Sequence, residues 1–146
     1  MYRIVLADYE KAILSLMEKL IESLSGPYEI CARVSNGVEA LQAVWEFQPE
    51  ILIADVRMPG LNGIELLREI RQSGEKTAVI MVSGYSDFEY VQKSLRLGAV
   101  DYLLKPINRE ELRECLEKIE QKYKDATAEE ENLKSIHREL DRKSVV

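Results

Sequence analysis

The 146-residue sequence lacks the features on which several protein classes depend. It has one histidine and two cysteines, Cys31 and Cys115, which belong to no CxxC or Cys/His motif, so neither a disulfide framework nor a zinc site is expected. No apolar stretch approaches the roughly 20 residues of a membrane span, and Met1 leads into a predicted strand rather than a signal peptide. A net charge of -6 provides no basic surface for nucleic acid. These absences predict a cytoplasmic protein that, in this portion, binds neither membrane nor nucleic acid.

What the sequence does contain is a regular alternation of short apolar runs and amphipathic segments. Hydrophobic residues make up 46% of the chain, enough for one domain with a sizeable core. Five apolar runs predict strands, and each is followed by a helical pattern in which apolar residues recur three or four apart. The repeat of roughly 25 residues is close to the size of a βα unit. The predicted strands are Tyr2–Asp8, Tyr28–Val34, a run ending at Asp55, Thr77–Ser83 and Val100–Leu104.

Strand–helix alternation of this kind predicts a parallel sheet with helices on both faces and right-handed crossovers. The second predicted strand alternates apolar and polar residues, so we place it at an edge of the sheet. This placement favours strand order 2-1-3-4-5, the flavodoxin-like (βα)5 doubly wound fold, here with an extended C-terminal helix. Predicted helix N-caps are Asn36, Asn62, Ser86 and Asn108, each with a glutamate three residues later.

Polar side chains follow or end four of these strands. They are Asp8, Asp55, Ser83 and Lys105. Because the carboxyl ends of parallel strands meet at one edge of a sheet, we expect these residues to converge. Two carboxylates suit Mg²⁺, a lysine and a hydroxyl suit phosphoryl oxygens, and an aspartate can itself accept a phosphoryl group. The pattern therefore predicts Mg²⁺-assisted phosphorylation of an aspartate.

These residues, together with the segments 55–63, Ser83-Gly84 and Lys105-Pro106, resemble the receiver domain of bacterial two-component response regulators over about residues 2–120. The resemblance implies that Asp55 accepts a phosphoryl group from a sensor histidine kinase, and that the protein is a signalling switch rather than an enzyme. It implies Mg²⁺ bound by Asp8, Asp55 and the backbone carbonyl of Arg57. It further implies phosphoryl contacts from Ser83 and Lys105, a switch role for Tyr102, and a cis Lys105–Pro106 bond.

One position departs from the family pattern. Receiver domains usually carry two adjacent acids after the first strand, whereas here Asp8 is followed by Tyr9. The missing carboxylate is the more direct metal ligand in the family, and Glu10, one residue further, need not point inward. We therefore expect weak Mg²⁺ binding and slow or absent phosphorylation. The alternative function is a phosphorylation-independent receiver that acts as a dimerisation or interaction module.

Besides the phosphorylated switch and the phosphorylation-independent module, a third hypothesis is an enzyme on the same architecture. A phosphatase with an aspartate nucleophile would carry a second acid two residues after Asp55, and a flavin-binding protein would carry a glycine-rich loop after the first strand. The sequence has neither.

Two segments are similar to a particular subgroup, the receivers joined to AraC-type DNA-binding domains in transcription regulators. They are 83–90 and 97–106. No such output domain is present in this sequence. We assign residues 1–122 to the receiver domain and 123–146 to a helical linker or coiled-coil extension. Along the last predicted helix and into this extension, apolar residues recur every seven positions, at Leu112, Ile119, Ala126, Leu133 and Leu140. A homodimer has two candidate surfaces, the C-terminal helix and the face formed by the fourth helix, fifth strand and fifth helix.

Overall fold

The computed structural model describes residues 1–84 and 88–144, with strands and helices in strict alternation. The elements are β1 Tyr2–Ala7, α1 Lys11–Ser23, β2 Tyr28–Val34, α2 Gly37–Phe47, β3 Ile51–Asp55, α3 Gly63–Gln72, β4 Ala78–Ser83, α4 Phe88–Arg96, β5 Asp101–Leu104 and α5 Arg109–Ser144. The sequence prediction of five βα units is confirmed.

The five strands form one parallel sheet in the order β2-β1-β3-β4-β5. β2 lies at one edge, as its alternating polarity predicts, and β5 lies at the other. All five residues of β3, at the centre of the sheet, are buried. A strand covered on both faces cannot alternate with polar residues, which explains the continuous apolar run before Asp55.

The hydrophobic core lies on both sides of the sheet. On one side α2 and α3 pack against β1, β3 and β4 through alternate strand residues. This cluster includes Val5, Leu52, Val79 and Met81 of the strands and Val44, Leu66, Leu67 and Ile70 of the helices. The intervening strand residues, including Ile4, Leu6, Ile53 and Ile80, are fully buried on the opposite side. The central strands are therefore buried on both faces of the sheet.

Side-chain caps begin three helices where the sequence predicts them. Asn62 and Glu65 form a complete capping box at α3, with bonds of 2.9 and 3.1 Å. The Oδ1 atom of Asn36 accepts the Glu39 amide, and that of Asn108 accepts the Glu110 amide. The cap predicted at Ser86 lies outside the described residues.

The backbone divides into two compact units within α5, the first being Met1–Arg113 and the second beginning at Glu114. In the second unit the helix continues to Ser144, and every side chain from 124 to 140 is exposed. The exposed apolar residues there are Leu133, Ile136 and Leu140. The boundary at 122 and the coiled coil remain predictions. Among the residues described, no helix is long and apolar enough to cross a membrane.

Candidate functional site

The carboxyl edge of the sheet brings together the polar residues that follow or end four strands. Asp8 follows β1, Asp55 and Ser83 end β3 and β4, and Lys105 follows β5. The parallel register holds Ser83 opposite Leu104, and the Lys105 amide donates to the Ser83 carbonyl at 2.8 Å. The peptide bond that follows, Lys105–Pro106, is cis, as the resemblance implied.

Lys105 lies among three carboxylates. Its Nζ atom donates to Asp55 Oδ2 at 2.9 Å and lies 3.3 Å from Asp8 Oδ2 and 3.7 Å from Glu10 Oε1. The Asp8 side chain is fully buried, while the side chains of Asp55 and Lys105 are 9% and 21% exposed. Asp8, Asp55 and Lys105 thus form a largely buried charged cluster, of which Lys105 is the most exposed of the three.

Burial and charge shift two pKa values in this cluster. Burial raises the pKa of Asp8 above its ordinary value, and the Asp55 charge adds to the increase; the amide of Glu10 and the charge of Lys105 oppose it only in part. Burial alone would lower the pKa of Lys105. The hydrogen bond to Asp55 and the charges of Asp55 and Asp8 outweigh that effect, so the pKa of Lys105 is raised. The lysine therefore carries its positive charge throughout the neutral range.

Two buried oxygen atoms have no hydrogen-bond partner within the described part of the chain. They are Asp8 Oδ2, which has only its ion pair with Lys105, and Ser83 Oγ. A buried polar atom without a hydrogen-bond partner costs free energy, so two such atoms at this edge of the sheet point to a ligand that would pair with them. Oxygen atoms are the ligands that Mg²⁺ prefers, and one or two carboxylates are its usual protein share. In the described residues no group of three His, Cys, Asp or Glu side chains is placed to hold a metal. The donor set of Asp8, Asp55 and a backbone carbonyl fits Mg²⁺ that retains waters.

The loop after β3 holds the Asp55 carboxylate from its other side. The amide of Arg57 donates to Asp55 Oδ1 at 3.2 Å, while Lys105 holds Oδ2. Both carboxylate oxygens of Asp55 are therefore oriented by hydrogen-bond donors, the Arg57 amide and the Lys105 ammonium group. The Gly63 amide donates to the carbonyl of Val56 at 2.7 Å and closes this loop onto the start of α3.

Tyr9 and Glu10 occupy the rim of the pocket. The Tyr9 side chain points largely to solvent, with 65% of the residue exposed. Glu10, although also exposed, directs a carboxylate oxygen toward Lys105. The direction of the Glu10 side chain could not be predicted from the sequence, because residue spacing does not fix side-chain directions in a loop.

A second residue missed from sequence is Tyr90 of α4. The guanidinium carbon of Arg57 lies 5.7 Å from the centre of its ring, within the range of a cation–π contact. This contact connects the loop after Asp55 to α4. Tyr102, the predicted switch residue, lies in β5 and is 37% exposed.

Residues 4–117 match the family described as "Response regulator receiver domain". The chain belongs to this family. The resemblance stated from the sequence motifs is therefore confirmed for the receiver domain, while the AraC-type output remains a prediction.

Curated relatives of this receiver domain are bacterial regulators. The Bacillus subtilis transcriptional regulatory protein YesN is 35% identical over 141 residues, which is 97% of this chain and 38% of that protein. The probable C4-dicarboxylate response regulator DctR of Priestia megaterium is 36% identical over 116 residues, 80% of this chain and 50% of that protein. This receiver domain thus spans about half or less of the length of these relatives. That it is not itself an enzyme remains a prediction.

Solved structures support the same fold. The REC domain of AraT, a response regulator from Geobacillus stearothermophilus, superposes with a TM-score of 0.80 at 29% identity, covering 86% of this chain and 98% of that one. The flavodoxin-like order 2-1-3-4-5 is confirmed by the sheet itself.

Proposed function

We propose that Asp55 accepts a phosphoryl group from a sensor histidine kinase, with Mg²⁺ bound by Asp8, Asp55 and the backbone carbonyl of Arg57. The observation that carries the proposal is the pocket of Asp8, Asp55 and Lys105, in which both oxygen atoms of Asp55 accept hydrogen bonds, while the buried Asp8 Oδ2 and Ser83 Oγ have no hydrogen-bond partner among the described residues. Bound Mg²⁺ would supply positive charge to the phosphoryl oxygens during transfer.

The protein's own residues perform the remaining parts. A carboxylate oxygen of Asp55 attacks the phosphorus; an oxygen–phosphorus bond forms as the bond from phosphorus to the kinase histidine nitrogen breaks, and that nitrogen keeps the electron pair. Lys105, already beside the nucleophile, pairs with a phosphoryl oxygen. The Ser83 hydroxyl, which has no partner among the described residues, donates to another.

The added phosphate brings nearly two negative charges and three acceptor oxygens to the carboxyl edge of the sheet. Drawing Ser83 and Lys105 toward them moves the ends of β4 and β5. We propose that Tyr102 turns inward in response and that the face formed by α4, β5 and α5 changes its partner affinity. Four apolar residues of α4 and β5 are exposed on this side, namely Tyr90, Leu95, Tyr102 and Leu104. Phosphorylation acts by shifting a two-state equilibrium already present in the free protein.

The switched output is transcription regulation by a DNA-binding domain outside this sequence. The names of the relatives support this proposal, because they include a transcriptional regulatory protein of which this chain covers 38%. Action in the cytoplasm, alongside the kinase, is part of the same proposal.

Intact-mass spectrometry tests the phosphorylation step. The protein is incubated with Mg²⁺ and acetyl phosphate, in parallel with Asp55→Asn and with a sample containing EDTA. A phosphoryl adduct that is absent from both controls is the expected result. An adduct that persists in Asp55→Asn would place the modification elsewhere and contradict the proposal.

The second candidate is a phosphorylation-independent interaction module, and the exposed Tyr9 at the place of a metal-binding acid favours it. The same assay distinguishes the two functions. If the native chain gives no adduct and Tyr9→Asp gives one, the metal site has lost its function and the module works by constitutive association.

A further inference from the structure

The pocket formed by Asp8, Asp55 and Lys105 carries one negative charge fewer than the pocket of a receiver with two adjacent acids after the first strand. Asp8 and Asp55 carry a formal charge of minus two, and Lys105 reduces it to minus one. The acid that receivers usually carry after Asp8 would restore minus two, but Tyr9 cannot. A site of charge minus one attracts a divalent cation weakly, because the lysine already pairs with both carboxylates.

Glu10 is held at the rim of this pocket by its backbone. Its amide donates to Asp8 Oδ1 at 2.8 Å, and its carbonyl accepts the amides of Ile13 and Leu14 in the first turn of α1. Because hydrogen bonds hold the main chain of Glu10 on both sides, the position of its Cα atom beside the pocket is fixed. From there Oε1 reaches to 3.7 Å from Lys105 Nζ, although the carboxylate is 64% exposed.

We propose that Glu10 supplies the negative charge that Tyr9 does not, and so raises the affinity of the pocket for the divalent cation. This inference rests on the proposed function. Glu10 acts through its charge and not as a direct metal ligand. Its carboxylate lies beside Lys105, and among the described residues no three acidic side chains are placed to hold a metal together. Its carboxylate offers the ammonium group a partner outside the Asp8–Asp55 pair, and it adds attraction for a cation entering between them.

The size of the effect follows from Coulomb's law. An exposed unit charge that lies within a Debye length of a divalent cation, screened by water and salt, would change the binding constant by about 3- to 10-fold. Because Glu10 is exposed, the effect depends on ionic strength, whereas a direct ligand or a packing contact would not lose its influence in salt.

Isothermal titration calorimetry of the full chain with MgCl₂ tests the inference, at low and high KCl. The variants are Glu10→Gln, Asp8→Asn, and Glu22→Gln, a control that removes an exposed charge from the far end of α1. We expect Glu10→Gln to bind Mg²⁺ about 5-fold more weakly at low salt, with the difference shrinking at high salt. Glu22→Gln is expected to match the native chain, and Tyr9→Asp added to Glu10→Gln is expected to restore the affinity.

The other outcomes overturn the inference in distinguishable ways. If Glu10→Gln binds like the native chain while Asp8→Asn loses affinity, the metal site stands and Glu10 has no part in it. If the loss in Glu10→Gln is unchanged at high salt, Glu10 acts through local structure and not through charge. If neither the native chain nor any variant binds Mg²⁺, the proposed metal site fails, and the role of Glu10 fails with it.

Discussion

Replacing Lys105 by methionine removes the cation that pairs with both Asp8 and Asp55. Methionine keeps most of the apolar stem, so the change isolates the charge. Two buried or nearly buried carboxylates are then left to face each other without compensation. Removing one partner of a buried ion pair costs about 3–5 kcal/mol of unfolding free energy. Lys105 is 21% exposed, so we expect the lower loss of about 2–3 kcal/mol.

The measurement is thermal unfolding followed by circular dichroism at neutral pH without metal. At about 3–4 °C per kcal/mol for a domain of this size, the midpoint is expected to fall by about 6–12 °C. Lys76→Met, at an exposed position before β4, is the matched control and is expected to change it little.

Acid and Mg²⁺ should both reduce the deficit. The pKa of Lys105 is raised in the folded state, so its contribution to stability is complete at neutral pH and is lost only as pH rises through that raised value. In Lys105→Met the buried Asp8 carboxyl, whose pKa is raised, gains a proton as pH falls, which removes its repulsion with Asp55. Mg²⁺ bound at this site would replace the missing positive charge. A deficit that is equal at acidic and neutral pH, with and without Mg²⁺, would refute the electrostatic reasoning and assign the loss to packing of the lysine stem.

Three further predictions follow from the same structure. Asp8→Asn is expected to raise the metal-free melting temperature, because the raised pKa of Asp8 means that its ionised form opposes folding at neutral pH; the gain should shrink as pH falls through that raised pKa and vanish below the ordinary pKa of an aspartate, and a gain independent of pH would contradict the reasoning. Gly63→Ala is expected to lower the urea midpoint by the equivalent of about 1–3 kcal/mol and to slow phosphorylation, since the new Cβ would lie 2.8 Å from Val56 Cα and 2.9 Å from the Asp55 carbonyl; an unchanged midpoint would contradict it. Replacing Leu133 and Leu140 together by serine is expected to leave sedimentation velocity unchanged, because two of the alternate core positions of that heptad pattern, Lys122 and Glu129, are charged; loss of a dimer in the variant would establish the coiled coil.

The fold was predictable because the strands differ in burial. β3 is buried throughout and gives a continuous apolar run, while the edge strand β2 alternates, and this contrast, within a chain of alternating strands and helices, favours the observed strand order. The ends of elements were less predictable. The first strand was predicted to include Asp8 but ends at Ala7. At such ends one side-chain hydrogen bond, such as that from Glu10 to Asp8, decides the outcome.

The candidate site was predictable to the extent that topology fixes it. Asp8, Asp55 and Lys105 converge because parallel strands share one edge, and this needs no knowledge of side-chain direction. Glu10 and Tyr90 could not be found in this way. Their contacts with Lys105 and Arg57 depend on loop dihedral angles and rotamers, which leave no periodic trace in the sequence. The functional roles of all these residues remain predictions.

The position of β5 at the edge of the sheet has a consequence for local opening. This strand has four residues, pairs only with β4, and delivers Lys105 at its end. Short edge strands are where native sheets fray first. Here, detaching the edge would withdraw the only cation seen between Asp8 and Asp55 in the described structure, so fraying carries an electrostatic penalty beyond the lost backbone bonds. The charge cluster therefore opposes detachment of β5 from the sheet.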